Sequence, residues 1–161
     1  MKYTFALVTA GVLFATAAFA AEVTKPAEFA KMAAVSNMFE VQSSELAVKQ
    51  SDDAAVKKFA EHMITDHMKA GEEMKPAAAA DKVEVPTELD AEHQAKLDAL
   101  KAADKNSFDK MYKAEQLKAH ETAVTLFSVY SANGEAGELK TFATKTLPTL
   151  TEHLAEVKKM N

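Results

Sequence analysis

The chain of 161 residues has the length of one domain, carries a formal charge of −5 and contains no cysteine. Disulfides, thiolate metal sites and thiol catalysis are therefore excluded. An acidic chain with scattered lysines also lacks the electrostatic footprint of a nucleic-acid binder.

Residues 1–20 read as a signal peptide. Lys2 precedes an apolar run that ends in Ala18-Phe19-Ala20, a small-x-small cleavage site. Cleavage there leaves one domain over residues 21–161 and no later stretch apolar enough to span a bilayer. The expected location is the periplasm, with no transmembrane anchor after cleavage.

The remainder is rich in Ala, Glu, Lys, Leu and Met, with only four Gly and four Pro in the chain, which favours helix. A first helix is predicted from about Ala27 to Gln50, with Phe29, Met32, Ala33, Phe39, Leu46 and Ala47 on its apolar stripe. Ser51 or Asp52 is placed to cap a second helix. Its face carries Val56, Phe59, Ala60, Met63, His67, Ala70 and Met74, and Pro76 is expected to kink or stop it, although Ala77–Ala80 could continue helically. Val83–Pro86 reads as an extended connector, and Thr87 with Asp90 as a capping box for a short helix through Leu97 and Leu100. A third long helix starts near Asp104 or Ser107 and stops at Asn133-Gly134. A fourth runs from about Ala136 to Met160, interrupted at Pro148.

Four long amphipathic helices joined by two tight turns and one long middle connection predict an all-α, ferritin-like four-helix bundle. Its crossover contains the short extra helix.

Several polar residues fall on faces that should be buried. His67 lies mid-stripe on the second long helix and His153 between Leu150 and Leu154 on the fourth. His120 falls at the edge of the third helix's face, while His62 and His93 read as exposed. Glu40 and Glu115 point inward or nearly so. Counting residues from the turns puts Glu40, Glu115 and His153 at one level, and His67 with His120 at a second level about 7 Å away.

In ferritin-like carboxylate proteins two helices each give a Glu and two give Glu-x-x-His. Here Ile64 and Leu150 stand three residues before His67 and His153, so neither Glu-x-x-His is present. This argues against a carboxylate-bridged di-iron site. His67, His120, His153, Glu115 and Glu40 instead form a candidate single-metal set, with imidazole and carboxylate donors suited to zinc, copper or iron. The alternative is that they are paired core-edge groups that fix helix register without any metal. No phosphate loop, nucleophile elbow or catalytic triad pattern is present, so no catalytic residues are assigned.

Val56-Lys-Lys-Phe-Ala60, Met63 and Asp66-His67 are joined by Pro86–Asp90, His93-Gln94, His120-Glu121 and Leu126-Phe127. Leu139–Ala143, Lys145–Leu150 and His153-Leu154 complete the set. Together these resemble a bacterial exported family, domain of unknown function 4142, over about Glu28 to Lys158. The resemblance implies a ferritin-like bundle in a periplasmic or envelope setting and no settled activity, so function rests on the site.

The leading expectation is an exported bundle with a binding or envelope-stress role, its inner His and Glu residues being candidate metal ligands, rather than an enzyme. A metal-dependent oxidoreductase using the same residues is the first alternative. A purely structural or interaction module, docking an envelope partner or a second copy of itself, is the other.

Overall fold

The computed structural model describes residues 23–160. The expected signal peptide and cleavage site lie outside the described residues. Among the described residues five helices follow one another: α1 Pro26–Gln50, α2 Ala54–Ala80, α3 Ala91–Ala102, α4 Lys105–Asn133 and α5 Glu138–Met160. Among the described residues no helix is long and apolar enough to cross a membrane.

Most of the helix starts are fixed by aspartates. Pro26 sits in the first turn of α1, where its missing N–H costs nothing. Asp53, one residue beyond the expected caps, accepts from the Ala55 and Val56 N–H groups at 2.7 and 3.3 Å. Ser51 instead steadies the turn by accepting from the Asp53 N–H at 3.0 Å. Asp90 is itself the cap of α3, taking the His93 N–H at 2.8 Å, so the expected Thr87 box is not the helix start. Asp104 caps α4 through Asn106 and Ser107.

The start of α5 is held from a distance. Asp81, at the C-terminus of α2, accepts from the Glu138 and Leu139 N–H groups at 2.9 and 2.8 Å. Gly137 permits this approach, since a Cβ there would lie 2.5 Å from Asp81 Oδ2.

The interruption expected at Pro148 is corrected, and of the outcomes expected at Pro76 the stop is excluded. Neither Pro76 nor Pro148 ends its helix: α2 continues to Ala80 and α5 to Met160. Both prolines are exposed, as are Glu72 and Thr144, the residues four positions earlier whose carbonyls lose a donor. Water can serve those carbonyls, while Met74, Ala77, Ala78 and Leu150 keep the inner faces packed.

Helices α1 and α2 form one antiparallel hairpin, α4 and α5 a second, and the ring closes with α1 on α4 and α2 on α5. Direction is visible in the α1–α4 contacts. Phe29 stacks on Tyr130 at 3.9 Å between ring centroids, whereas Ser44, further along α1, meets the Tyr112 hydroxyl at 2.9 Å. The crossover over residues 81–104 runs back along the bundle and lays α3 against α1 and α4, burying Leu97 and Leu100. This is the ferritin-like arrangement.

The apolar interior is split in two. One group contains Phe29, Phe127, Tyr130, Leu139 and Phe142, and the other Phe39, Phe59, Met63, Phe108 and Val157. Between them, on every long helix, comes a polar layer: Glu40 and Ser43 on α1, His67 on α2, Gln116 and His120 on α4, and His153 on α5. Each group is large enough to hold its end of the bundle. The layer between them contributes the least to apolar burial and contains the chemistry.

Candidate metal centre

His67, His120 and His153 come from three helices and meet at a single level, not two. Their ring centroids form a nearly equilateral triangle with sides of 5.6, 5.5 and 5.4 Å. None is more than 6% exposed. One ring nitrogen from each lies within 4.8 Å of those of the other two.

Every ring is anchored at one nitrogen. His67 Nδ1 donates to Asn37 Oδ1 at 3.0 Å, His120 Nδ1 to the Gln116 carbonyl at 2.9 Å, and His153 Nε2 to Asp66 Oδ2 at 3.0 Å. These acceptors fix the N–H on the anchored side of each ring. The lone pair is then left on the other nitrogen, which is the form that binds metal. The opposite nitrogens, His67 Nε2, His120 Nε2 and His153 Nδ1, are buried and have no hydrogen-bond partner. A buried donor or acceptor left unsatisfied costs about 1–3 kcal/mol, and three occur together here.

The electrostatics keep the His67 and His153 rings neutral. Burial first, then the neighbouring imidazoles, holds His67 well below its ordinary 6.5. Burial likewise lowers His153, to about 4, against the upward pull of its hydrogen bond to Asp66.

Glu40 is buried, and both of its carboxylate oxygens lack a hydrogen bond. Burial raises its pKa, against the downward pull of His120 and the nearby Gln116 amide. Its Oε1 lies 3.8 Å from His120 Nδ1, the anchored side of that ring. Glu40 therefore stands behind His120 and outside the grouping of the three nitrogens.

Glu115 does not join the site. It is half-buried and lines an outer groove with Phe39, His93 and Lys96. The inner line of α4 is Tyr112, Gln116, His120, Ala123 and Phe127. Gln116 takes the inward place, donating to Ser43 Oγ at 3.2 Å. One residue of helical phase, about 100°, separates the expected position from the observed one. The same rotation carries His120 from the expected edge to the centre of the face.

Asn37 and Gln116 were not singled out in the sequence, and Asp66 only as part of the family resemblance. Asp66 adjoins His67 and points away from it, so its role in holding His153 across the α2–α5 interface has no signal along one helix. His120 and Gln116 stand four residues apart, a spacing at which a ring can reach the carbonyl of the preceding turn.

A comparison with curated proteins finds no significant match by sequence. Among solved structures, "CopM in the Cu(II)-bound form" superposes with a TM-score of 0.69 at 22% identity, covering 84% of this chain and 95% of that one. CopM in its Ag-bound form gives 0.67 at 22% identity, and in its Cu(I)-bound form 0.68 at 21%, each covering 84% of this chain and 94% of that one. At this identity the likeness establishes the shared bundle fold. The family profile described as "Domain of unknown function (DUF4142)" matches residues 13–160, and the chain belongs to that family.

Proposed function

We propose that this protein is an exported metal-binding protein that holds one transition-metal ion on His67 Nε2, His120 Nε2 and His153 Nδ1. The observation that carries this reading is the set of three buried, unpartnered nitrogens, each on a ring anchored at its other nitrogen. A register-fixing polar layer would satisfy both sides of its rings, whereas a metal site needs one side free.

The dimensions are suitable. Three imidazoles bound at ~2.0–2.1 Å around a near-trigonal ion have ring centroids about 5.5 Å apart. The triangle of 5.4 to 5.6 Å matches that spacing.

Copper is the preferred ion, with zinc and iron as the competitors. All-imidazole donors suit copper and zinc, and the fold neighbour CopM was solved with Cu(II), Cu(I) and Ag. Placement in the periplasm follows from the expected signal peptide and belongs to the same proposal.

The test is metal analysis of protein purified without an affinity tag from its native compartment. Thermal unfolding of wild type and His67→Ala with added copper, zinc and iron accompanies it. Wild type should contain close to one ion per chain and be stabilised by one of the metals, and His67→Ala should hold less metal and be stabilised much less. Equal thermal responses of the two proteins to all three metals would refute the reading.

A further inference from the structure

Asp66 Oδ2 lies close to two histidines at once. His153 Nε2 lies 3.0 Å from Asp66 Oδ2, and His62 Nε2 lies 3.2 Å from the same oxygen. The His62 and His153 rings are 5.1 Å apart, close to the spacing within the inner triangle. One ligand atom from each of His62, Asp66 and His153 lies within 4.8 Å of the other two, a second grouping of the kind that holds a metal ion. The far nitrogen of His62, Nδ1, is 3.2 Å from Glu156 Oε2. That contact anchors His62 as Asn37 anchors His67, leaving Nε2 to face Asp66.

The grouping descends from solvent to core. The side chains of His62, Asp66 and His153 are 43%, 29% and 1% exposed in that order. The surroundings of Asp66 are also open on both sides. It lines a surface cleft between α2 and α5 of about 180 Å³, together with Lys69, Glu73 and Lys145. It also lines a small cavity of about 40 Å³ that reaches His67 and His153.

We propose that His62, Asp66 and His153 form an outer metal position, and that an ion captured there passes to the inner tri-histidine set with His153 as the shared ligand. This rests on the reading of the inner triangle as a metal site. His153 serves the outer position through Nε2 and the inner one through Nδ1. The ring is neutral in both states, and its single N–H sits on whichever nitrogen does not hold the ion. When the ion moves inward, the proton returns to Nε2 and again donates to Asp66, so no proton is gained or lost overall. A neutral ring cannot hold both ions, so the two positions exclude each other and the chain takes up one ion in total. His62 accordingly sets the rate of loading and the inner triangle sets the final affinity.

The test is stopped-flow absorbance with Co(II), whose visible bands report coordination, on the mature full-length chain. Circular dichroism verifies that each variant is folded. Wild type should bind one equivalent in two spectral phases. His62→Ala, altered at an exposed position, should reach the wild-type final spectrum about tenfold or more slowly. His120→Ala keeps the outer set, so it should stop at the first-phase spectrum with affinity reduced about 100-fold. Loading of His62→Ala at the wild-type rate overturns the hand-over, as does uptake of two equivalents by wild type or none by His120→Ala. The inner site itself falls if His120→Ala keeps the wild-type final spectrum and affinity, and both readings fall if wild type takes up no Co(II).

Discussion

Replacing His67 by leucine separates a site kept for binding from one kept for stability. In the metal-free protein His67 Nε2 is buried without a partner, and only Nδ1 is engaged, with Asn37. Leucine fills a similar volume with apolar atoms and removes the orphaned nitrogen, a gain of about 1–3 kcal/mol. Asn37 loses its donor, but it is only half-buried and can turn to water. That loss returns about 1 kcal/mol. Net stabilisation of the apo protein by about 0–2 kcal/mol is expected, a rise of up to roughly 8 °C in Tm for a chain of this size. Most substitutions at a buried, hydrogen-bonded residue act in the opposite direction.

Metal reverses the order. An ion that binds only the folded state at 100 times its Kd adds about 2.7 kcal/mol, more than the leucine gains. Thermal unfolding in chelator and in excess copper should therefore rank metal-loaded wild type above His67→Leu, and His67→Leu above apo wild type. The leucine variant, which keeps only the outer grouping, should gain much less from copper than wild type does. If His67→Leu in chelator is destabilised by more than about 1 kcal/mol, the inner nitrogen has a partner and the argument fails.

Three further outcomes follow from the same geometry. The apo protein should lose stability in acid. Burial holds His153 at about 4 and His67 well below 6.5 in the fold, so the unfolded chain takes up protons that the fold refuses as pH falls from about 6.5. His153 alone then removes about 3 kcal/mol by pH 4, partly offset by Glu40, whose raised pKa acts with the opposite sign above pH 4.5. Denaturant titrations across pH 4–8 in chelator measure this, and a flat profile would contradict it. Gly137→Ala should displace Asp81 from the start of α5 and lower stability by about 1–2 kcal/mol, with metal affinity unchanged by calorimetry. Glu115→Ala should leave both metal affinity and stability within about 0.5 kcal/mol of wild type, because its carboxylate lies in the outer groove; a larger loss of affinity would place it back at the site.

The bundle was legible because its signals are local and repeated. Stripes such as Phe59, Met63 and His67 lie at four-residue steps on one helix, and the caps Asp53, Asp90 and Asp104 each stand within a residue or a turn of the predicted starts. The prolines misled for a physical reason. What decides whether a proline breaks a helix is whether its orphaned carbonyl is wet, and for Pro76 and Pro148 that depends on the solvent side of a face fixed only by tertiary packing.

The site was legible in its imidazoles and not in their supports. His67 and His153 stood on apolar faces, where an imidazole is conspicuous. Glu115 looked inward because Phe108 and Met111 precede it at helical spacing, but Tyr112 and Gln116 set the phase of α4 and turn Met111 to a half-buried position. The anchors are harder still to see. Asn37 and Asp66 act on rings from other helices, thirty and eighty-seven residues away in the chain. No periodicity along one helix encodes such a pairing. It arises when the ring of helices closes and sets α1 beside α2 and α2 beside α5. The same closure gives the site its character. Each anchor directs one N–H away from the centre, so the three lone pairs are left in a dry interior with one another as neighbours. In that position an ion would supply the partner that the protein itself does not.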